Sequence, residues 1–415
     1  MNPLKQETKD INKYFMTFEE MYPKAYDKKK TEPYTKTRVV LLNGAEYESV
    51  WFLHQFARHC NIDEIIQYLA VVRSQEQQQQ KLIACLKPIN ESILETTLTY
   101  EQLAIDLTAT LAQNEMDQAN KDALNFALLE DFDHLYRFSN LMMLDTKAKS
   151  PELLVGKFTE IMPARPTIAH HRYPMDNVKK PMNANKSDIY SKLVAGIITA
   201  AEQQTMNYYM NISQWYKTDL GRKLYAEIGM VEEEHVTQYE SLKDPNCTWL
   251  ENWVLHEYTE CYLYYSAYIE ETDKNIKHIW LNNYEIECAH LKVACYLLEK
   301  YDKKMPKSVI GNGEFPTLLK LGTNKEYVRD VLNRTVMLTG NRQSYIDVLK
   351  LKENADFFLY QNEIIPNEEQ VASHMVINQI IKKTGTDYRY QDKPNPIKEL
   401  QNRKKDNTTL ARKKK

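Results

Sequence analysis

Two glutamate–histidine pairs with the same spacing are the residues of this chain that could most directly bind metal. Glu232 precedes His235 by three positions, and Glu287 precedes His290 by three. Residues three apart share one face of a helix, so each pair can present a carboxylate and an imidazole together. The chain has 10 histidines and 57 acidic residues. About one such pair is expected by chance, so the spacing alone does not indicate a metal site.

The composition predicts a helical globular protein. Hydrophobic residues make up 43% of the chain and charged residues 27%, and only 10 of 415 residues are glycine, which favours long helices. The net charge of -3 argues against nucleic acid as a partner. Six cysteines without a CxxC pair argue against a zinc ribbon. Because the chain has neither an apolar leader nor a run of about 18 apolar residues, we expect a cytoplasmic protein without membrane contact.

Apolar periodicity and helix breakers predict an all-α fold of two tandem four-helix bundles with a small, mainly helical C-terminal extension. A proline-rich connector between the bundles contains His170 and His171, for which metal binding and loop hydrogen bonds are both open. The basic end of the chain is either a solvated tail or a contact for RNA or a partner. The predicted segments are an arm (1–33), a first bundle (34–145), the connector (146–186), a second bundle (187–303), the extension (304–396) and a basic disordered tail (397–415).

The two helical segments are copies of one another. A shift of 156 residues aligns them over roughly 110 positions without a gap, which indicates a tandem duplication. The candidate ligands of the two segments correspond under this shift. The pairs are Glu46 with Glu202, Glu76 with Glu232, Gln79 with His235, Glu101 with Glu257, Asp131 with Glu287, and His134 with His290.

Turn positions predict that the four acids of the second segment lie at one level. The midpoints between successive acids fall at Lys217, at Asp244 and Pro245, and at Thr272, each within a turn signal. Buried carboxylates at one level need protons, cationic side chains or metal. Four carboxylates with two imidazoles are the ligand set of a di-iron or di-manganese site. The predicted ligands are Glu202, Glu232, His235, Glu257, Glu287 and His290.

The corresponding set in the first segment is altered. Gln79 replaces a histidine, Asp131 shortens a carboxylate, and Arg73 lies one turn before Glu76, where its guanidinium could neutralise the acids. We therefore expect an empty or vestigial first site and one functional site in the second bundle. Glu260 shares a helix face with Glu257 and is an additional candidate ligand. Gly229 predicts open space near the metals for a small substrate.

These ligands resemble those of the ferritin-like di-metal carboxylate superfamily, which includes ferritins, rubrerythrins and manganese catalases. The resemblance covers about 190–300, with an altered copy over about 34–144. It implies that Glu232 and Glu287 bridge two metal ions and that His235 and His290 each bind one. Glu202 and Glu257 would be terminal ligands. Only 25 residues separate Glu232 from Glu257, which is too short for the long crossover of ferritin, so the helix order is open.

The resemblance implies an oxidoreductase with a di-iron centre, or a di-manganese centre, that activates O2 or peroxide. The tyrosines Tyr225, Tyr239 and Tyr284 would either tune oxidants or pack in the core. Such an enzyme requires an external electron donor and takes O2, peroxide or a small molecule as substrate. Two other functions stay open, a non-catalytic structural or assembly protein and an iron-binding ferroxidase. Whether the chain forms a homo-oligomer is also open.

Overall fold

The structure is a computed structural model and describes residues 1–153 and 159–405. It is mainly helical, with one small antiparallel sheet, so the predicted all-α class is confirmed at this level. Residues 406–415 of the predicted basic tail lie outside the described residues. The helices are α1 (Pro33–Arg58), α2 (Asp63–Ala84), α3 (Ile93–Asn114), α4 (Gln118–Asp145), α5 (Ser150–Leu153), α6 (Ile189–Ile212), α7 (Asp219–Glu240), α8 (Trp249–Glu270), α9 (Lys274–Leu297), α10 (Lys307–Ile310), α11 (Lys325–Thr335), α12 (Asp356–Ile364) and α13 (Ala372–Thr384).

The 156-residue repeat recurs in the positions of the helices and in their caps. The starts of α1 to α4 and of α6 to α9 differ by this offset. Ser92 and Thr248 each begin a helix with a capping box, in which a glutamate three positions later binds the cap backbone. Asp117 and Asp273 each accept two backbone N–H donors at the next helix start. The repeated turns therefore fix corresponding helices at corresponding levels.

The contacts divide the chain into two compact units. Unit 1 comprises residues 1–91, 181–201 and 243–321, and unit 2 comprises 92–153, 159–180, 202–242 and 322–405 of the described residues. In unit 1, α1 packs on α2 and α8, and α9 packs on α2 and α8. In unit 2, α4 packs on α3, α7, α11 and α13. The residues of α6 from 202 onward belong to unit 2, and those before belong to unit 1.

This grouping differs from the two tandem bundles that the sequence predicted. Each repeat contains two helical hairpins, and unit 1 combines the first hairpin of repeat one (α1–α2) with the second hairpin of repeat two (α8–α9). Unit 2 combines α3–α4 with α7 and the end of α6. The reason is that the turns after α2 and α7, at 85–92 and 241–248, lead from one unit to the other. A midpoint fixes the level of two side chains but not which hairpins pack together.

The remaining segments are also divided between the units. The N-terminal arm lies in unit 1, where Gln75 donates to the Ile11 carbonyl over 2.7 Å. Of the predicted connector, residues 146–153 and 159–180 belong to unit 2, and residues 154–158 lie outside the described residues. The predicted extension is split at residue 321, and its second part contains the antiparallel strands β1 (Leu338–Asn341) and β2 (Ser344–Asp347). No helix in the described part of the chain is long and apolar enough to span a membrane.

Candidate metal centres

Unit 1 contains a buried cluster of carboxylates around one histidine, which we call the unit 1 centre. Two groups of side chains in it could each hold an ion, because their ligand atoms lie within 4.8 Å of one another. All of these side chains are buried. The first group is Glu76, Glu257, Glu287 and His290, and the second is Glu46, Glu76 and Glu260.

Unit 2 contains the corresponding cluster, which we call the unit 2 centre. It also offers two groups of potential ligands, and here each group includes a histidine. The side chains are again buried. The first group is Asp131, Glu202, Glu232 and His235, and the second is Glu101, His134 and Glu232.

One glutamate belongs to both groups in each centre. Glu76 is shared in the unit 1 centre and Glu232 in the unit 2 centre, and these two residues correspond under the 156-residue shift. A carboxylate has two oxygens and can bridge two ions, so a glutamate common to both groups is compatible with a two-ion site. The resemblance implied Glu232 and Glu287 as bridging ligands. The structure places Glu232 in both groups of its centre and Glu287 in only one.

The six predicted ligands do not form a single cluster. Glu202, Glu232 and His235 lie in the unit 2 centre, where they meet residues of α3 and α4. The other three, Glu257, Glu287 and His290, lie in the unit 1 centre with residues of α1 and α2. The structure brings each triplet together, and each lies beside residues from a hairpin of the first repeat rather than beside the other triplet.

The altered residues of the first repeat are also separated. Gln79 lies in the unit 1 centre, where its side-chain amide donates to Glu287 over 2.5 Å and to Glu46 over 3.3 Å. Asp131 and His134 lie in the unit 2 centre, opposite His235. The unit 2 centre therefore has four carboxylates and two imidazoles drawn from both repeats. The expectation of one altered site and one intact site does not match this distribution.

Several polar atoms at both centres have no hydrogen-bond partner among the described residues. They belong to side chains that are at most 1% exposed. A buried carboxylate without a partner costs several kcal/mol, about 1–3 kcal/mol even for a neutral group. Divalent cations would satisfy these atoms, so the donor set fits metal. The atoms are Glu76 Oε2, Glu257 Oε2 and both oxygens of Glu260 in unit 1, and Asp131 Oδ2, Glu202 Oε1 and His134 Nε2 in unit 2.

Two histidines are held with one ring nitrogen directed toward the carboxylates. His235 Nε2 lies 2.7 Å from Glu130 Oε2, which leaves Nδ1 facing Glu232 Oε2 at 3.0 Å. In unit 1, His290 Nε2 lies 2.8 Å from Gln75 Oε1, and Nδ1 lies 3.0 Å from Glu76 Oε1. A hydrogen bond at the outer nitrogen fixes the tautomer and orients the inner nitrogen, as is typical of metal-bound histidines.

Glu130 was missed by the sequence analysis although it precedes Asp131. Its carboxylate also accepts hydrogen bonds from Arg165 over 3.2 Å and from Arg172. Burial alone would raise the pKa of Glu130, but Arg172, His170 and His235 lower it well below its usual range. Both arginines lie in the predicted connector, and only the structure brings them next to α4.

Aromatic side chains hold other carboxylates of the two centres. The Tyr209 hydroxyl donates to Glu101 in unit 2, and the Tyr264 hydroxyl donates to Glu46 in unit 1. The Trp253 indole donates to Glu257. Of the tyrosines expected near the metals, Tyr239 lies near His235, with ring centroids 6.4 Å apart.

The ionisable groups of the unit 2 centre are strongly coupled. Burial raises the pKa of Glu101 and of Asp131, and neighbouring carboxylates raise both further. Burial also raises the pKa of Glu202 to about 7, although His235 acts in the opposite direction. Burial would lower the pKa of His235, but Asp131 and Glu202 outweigh it and raise that pKa. Without metal, the cluster must therefore retain protons.

Two expectations about the surroundings of the centres were wrong. Gly229 does not open a space, because a Cβ added there would lie 2.9 Å from Met210 Sδ. Arg73 is half-buried and makes no ion pair with Glu76 among the described residues.

His170 and His171 of the predicted connector are both buried in unit 2, and the His170 ring lies 5.6 Å from that of His134. Neither belongs to a ligand group among the described residues.

Comparisons with protein-family models, with curated proteins and with solved structures find no match to this chain. The structure is helical and has buried carboxylate–histidine clusters that could bind metal, which is compatible with a ferritin-like fold. Membership of that superfamily stays a prediction.

Proposed function

We propose that this protein is a ferritin-like di-metal oxidoreductase with one two-ion centre in each unit, using iron or manganese to activate O2 or peroxide. The observation that supports the proposal most strongly is the shared glutamate of each centre, Glu76 in unit 1 and Glu232 in unit 2. A single structural ion would need one group of ligands, whereas each centre offers two groups joined by one carboxylate.

The residues of the chain would have distinct roles at such a centre. Glu76 and Glu232 would bridge the ions, and the inner nitrogens of His290 and His235 would each bind one. Tyr264 and Tyr209 would restrain terminal carboxylates through their hydroxyl groups. Bound redox-active ions would supply the electrons for reduction of O2 or peroxide. Complete burial of the ligands excludes bulk water, which strengthens electrostatic interactions within the centre.

A cavity in unit 2 supports a small-molecule substrate or electron donor. Its volume is about 600 Å³, within the range of small-molecule sites, and Met230, Tyr360 and Glu234 are among its lining residues. Glu234 contacts Arg172 over 3.2 Å, and Arg172 in turn contacts Glu130, which holds His235. Charged groups therefore connect the cavity wall with the unit 2 centre.

The test is elemental analysis of the purified full-length protein after anaerobic loading with Fe(II) or Mn(II). We expect up to four ions per chain, with loss of two in Glu76→Ala and of two in Glu232→Ala. The neighbouring exposed residues provide matched controls, so Gln77→Ala and Glu233→Ala should retain all ions. An optical change on adding O2 or peroxide to the iron-loaded protein would support redox activity. Full retention of metal in the Glu76→Ala/Glu232→Ala double variant would refute the proposal.

The alternative is a structural or assembly protein whose centres stay free of metal. It is favoured by one observation, namely that nearby carboxylates outweigh burial and raise the pKa values of His235 and His290, so that protonated imidazoles could offset part of the buried charge. A protein that takes up neither Fe(II) nor Mn(II) under the loading conditions would favour this alternative. Iron binding with ferroxidase activity but without turnover of an organic substrate would indicate an iron-binding ferroxidase instead.

A further inference from the structure

The two centres differ in the chemistry of one ion position. In the unit 2 centre, each ligand group contains an imidazole, His235 in one and His134 in the other. In the unit 1 centre, the group Glu46, Glu76 and Glu260 contains only carboxylates. This group corresponds under the 156-residue shift to the one that contains His235.

Two sequence changes together produce this difference. Gln79 occupies the position of His235, so an imidazole is lost from the unit 1 centre. Glu260 occupies the position of Ala104, so a carboxylate is gained there. Glu46 and Glu76 alone would provide two ligands. Glu260 provides the third, in place of the histidine that the unit 2 centre has at the position of Gln79. The unit 1 centre has thereby exchanged a neutral nitrogen ligand for an anionic oxygen ligand.

The contacts of Glu260 and Gln79 agree with these roles. Glu260 is 1% exposed, and both of its carboxylate oxygens lack a hydrogen-bond partner among the described residues. Its Oε2 atom lies 3.4 Å from His256 Nε2, on a ring whose Nδ1 lies 3.2 Å from Glu48. Gln79 uses its amide nitrogen to bind Glu46 and Glu287, which leaves no imidazole at this position.

We infer that the position formed by Glu46, Glu76 and Glu260 binds a hard, oxygen-preferring divalent cation of the Mn²⁺ class. The inference rests on the proposed function, because it concerns one ion of the unit 1 centre. Carboxylate-only sites suit Mn²⁺, Mg²⁺ and Ca²⁺, whereas imidazole favours Fe²⁺ and Zn²⁺. The other three positions each include a histidine and therefore prefer the later transition metals.

The two centres also differ in charge. The unit 1 centre has five carboxylates with one histidine, and the unit 2 centre has four carboxylates with two histidines. Two divalent ions balance four carboxylates and leave one negative charge in the unit 1 centre. That charge attracts every divalent cation alike. The preference for a hard cation therefore comes from the absence of an imidazole in the group Glu46, Glu76 and Glu260.

The test is displacement of Mn²⁺ by Zn²⁺ from the full-length protein. The metal-free protein is saturated with Mn²⁺ and titrated with Zn²⁺, and electron paramagnetic resonance measures the Mn²⁺ released. In the unmodified protein we expect three ions per chain to leave first and the fourth to need at least about tenfold more Zn²⁺. Displacement of all four in a single phase would overturn the inference.

Variants at the two changed positions identify the retained ion. Gln79→His should restore an imidazole, so that all four Mn²⁺ ions leave together. Glu260→Ala should bind only three Mn²⁺ ions, and circular dichroism checks that it folds. The matched control is Gln77→His, which adds an imidazole at an exposed position of α2 and should retain the fourth ion. Retention of the fourth ion in Gln79→His would contradict the inference, and binding of no Mn²⁺ in either unit would refute the proposed function as well.

Discussion

Glu130 allows a quantitative test of how unit 2 is held together. Its buried carboxylate accepts hydrogen bonds from Arg165 and Arg172 and from His235 Nε2. The variant Glu130→Gln keeps the shape of the side chain and an oxygen for His235, but it removes the negative charge between two buried guanidinium groups. Removing one partner of a buried ion pair costs about 3–5 kcal/mol, because the remaining charges stay out of water.

The remaining contacts of the two arginines decide how this cost is distributed. Arg172 still has Glu234 at 3.2 Å. Among the described residues, Arg165 keeps no ion-paired carboxylate and is left with the backbone carbonyls of Thr335 and Val336 and the ring of Phe126. Burial already lowers the pKa of Arg165 to about 10, despite the nearby Glu130. We therefore expect most of the destabilisation in the contacts of the 159–180 segment with α4 and with the end of α11.

Hydrogen exchange measured by mass spectrometry can assign the effect to one unit. A loss of about 3–5 kcal/mol corresponds to a protection factor lower by about 2.2 to 3.7 orders of magnitude in α4 and the 159–180 segment. Peptides from α1 and α2 should keep their protection, because these helices lie in unit 1. A change of less than tenfold in α4, or an equal loss in α1 and α2, would refute the reasoning.

Three further predictions concern α7. Burial raises the pKa of Glu227 to about 7 from an ordinary value of 4.5, so the folded state binds its proton more tightly than the unfolded state. The free energy of unfolding therefore falls between pH 4.5 and 7 by up to about 3 kcal/mol, and Glu227→Gln should remove this fall in urea unfolding. Identical pH dependence in both proteins would contradict it. Gly221→Ala should lower the melting temperature, with a cost of about 1–3 kcal/mol, because the new Cβ would lie 2.2 Å from the Tyr216 ring. Gly229→Ala should not lower it, since the flexible end of Met210 can move and alanine favours the helix by about 1 kcal/mol; a lower melting temperature for Gly229→Ala would refute this.

The helices could be predicted from the sequence because their signals are local. Each of the eight long helices predicted in the two repeats is present, and their caps and turns lie within a few residues of the expected positions. The triplets Glu202, Glu232, His235 and Glu257, Glu287, His290 each come together because hairpin geometry fixes the level of their side chains. Repetition at 156 residues identified the corresponding residues of the first repeat.

The pairing of hairpins could not be predicted in the same way. A copy of a hairpin offers nearly the same apolar face as the original, so hydrophobic patterning does not distinguish a partner in its own repeat from one in the other. The contacts of Glu130 with Arg165 and Arg172 could not be predicted either, because they join α4 to a segment without helical periodicity. Small strands such as β1 and β2 are too short to give a clear alternating pattern.

Each unit combines hairpins from both repeats, and this has a consequence for how the two centres could diverge. A chain with a single repeat would need a second copy of itself to complete either centre, in the manner of a symmetric dimer. Every substitution in such a dimer would occur in both centres at once. In the duplicated chain, the position of His235 and the position of Gln79 are encoded separately, as are those of Ala104 and Glu260. Duplication within one chain therefore allows each centre to change its ligands while the other keeps its own.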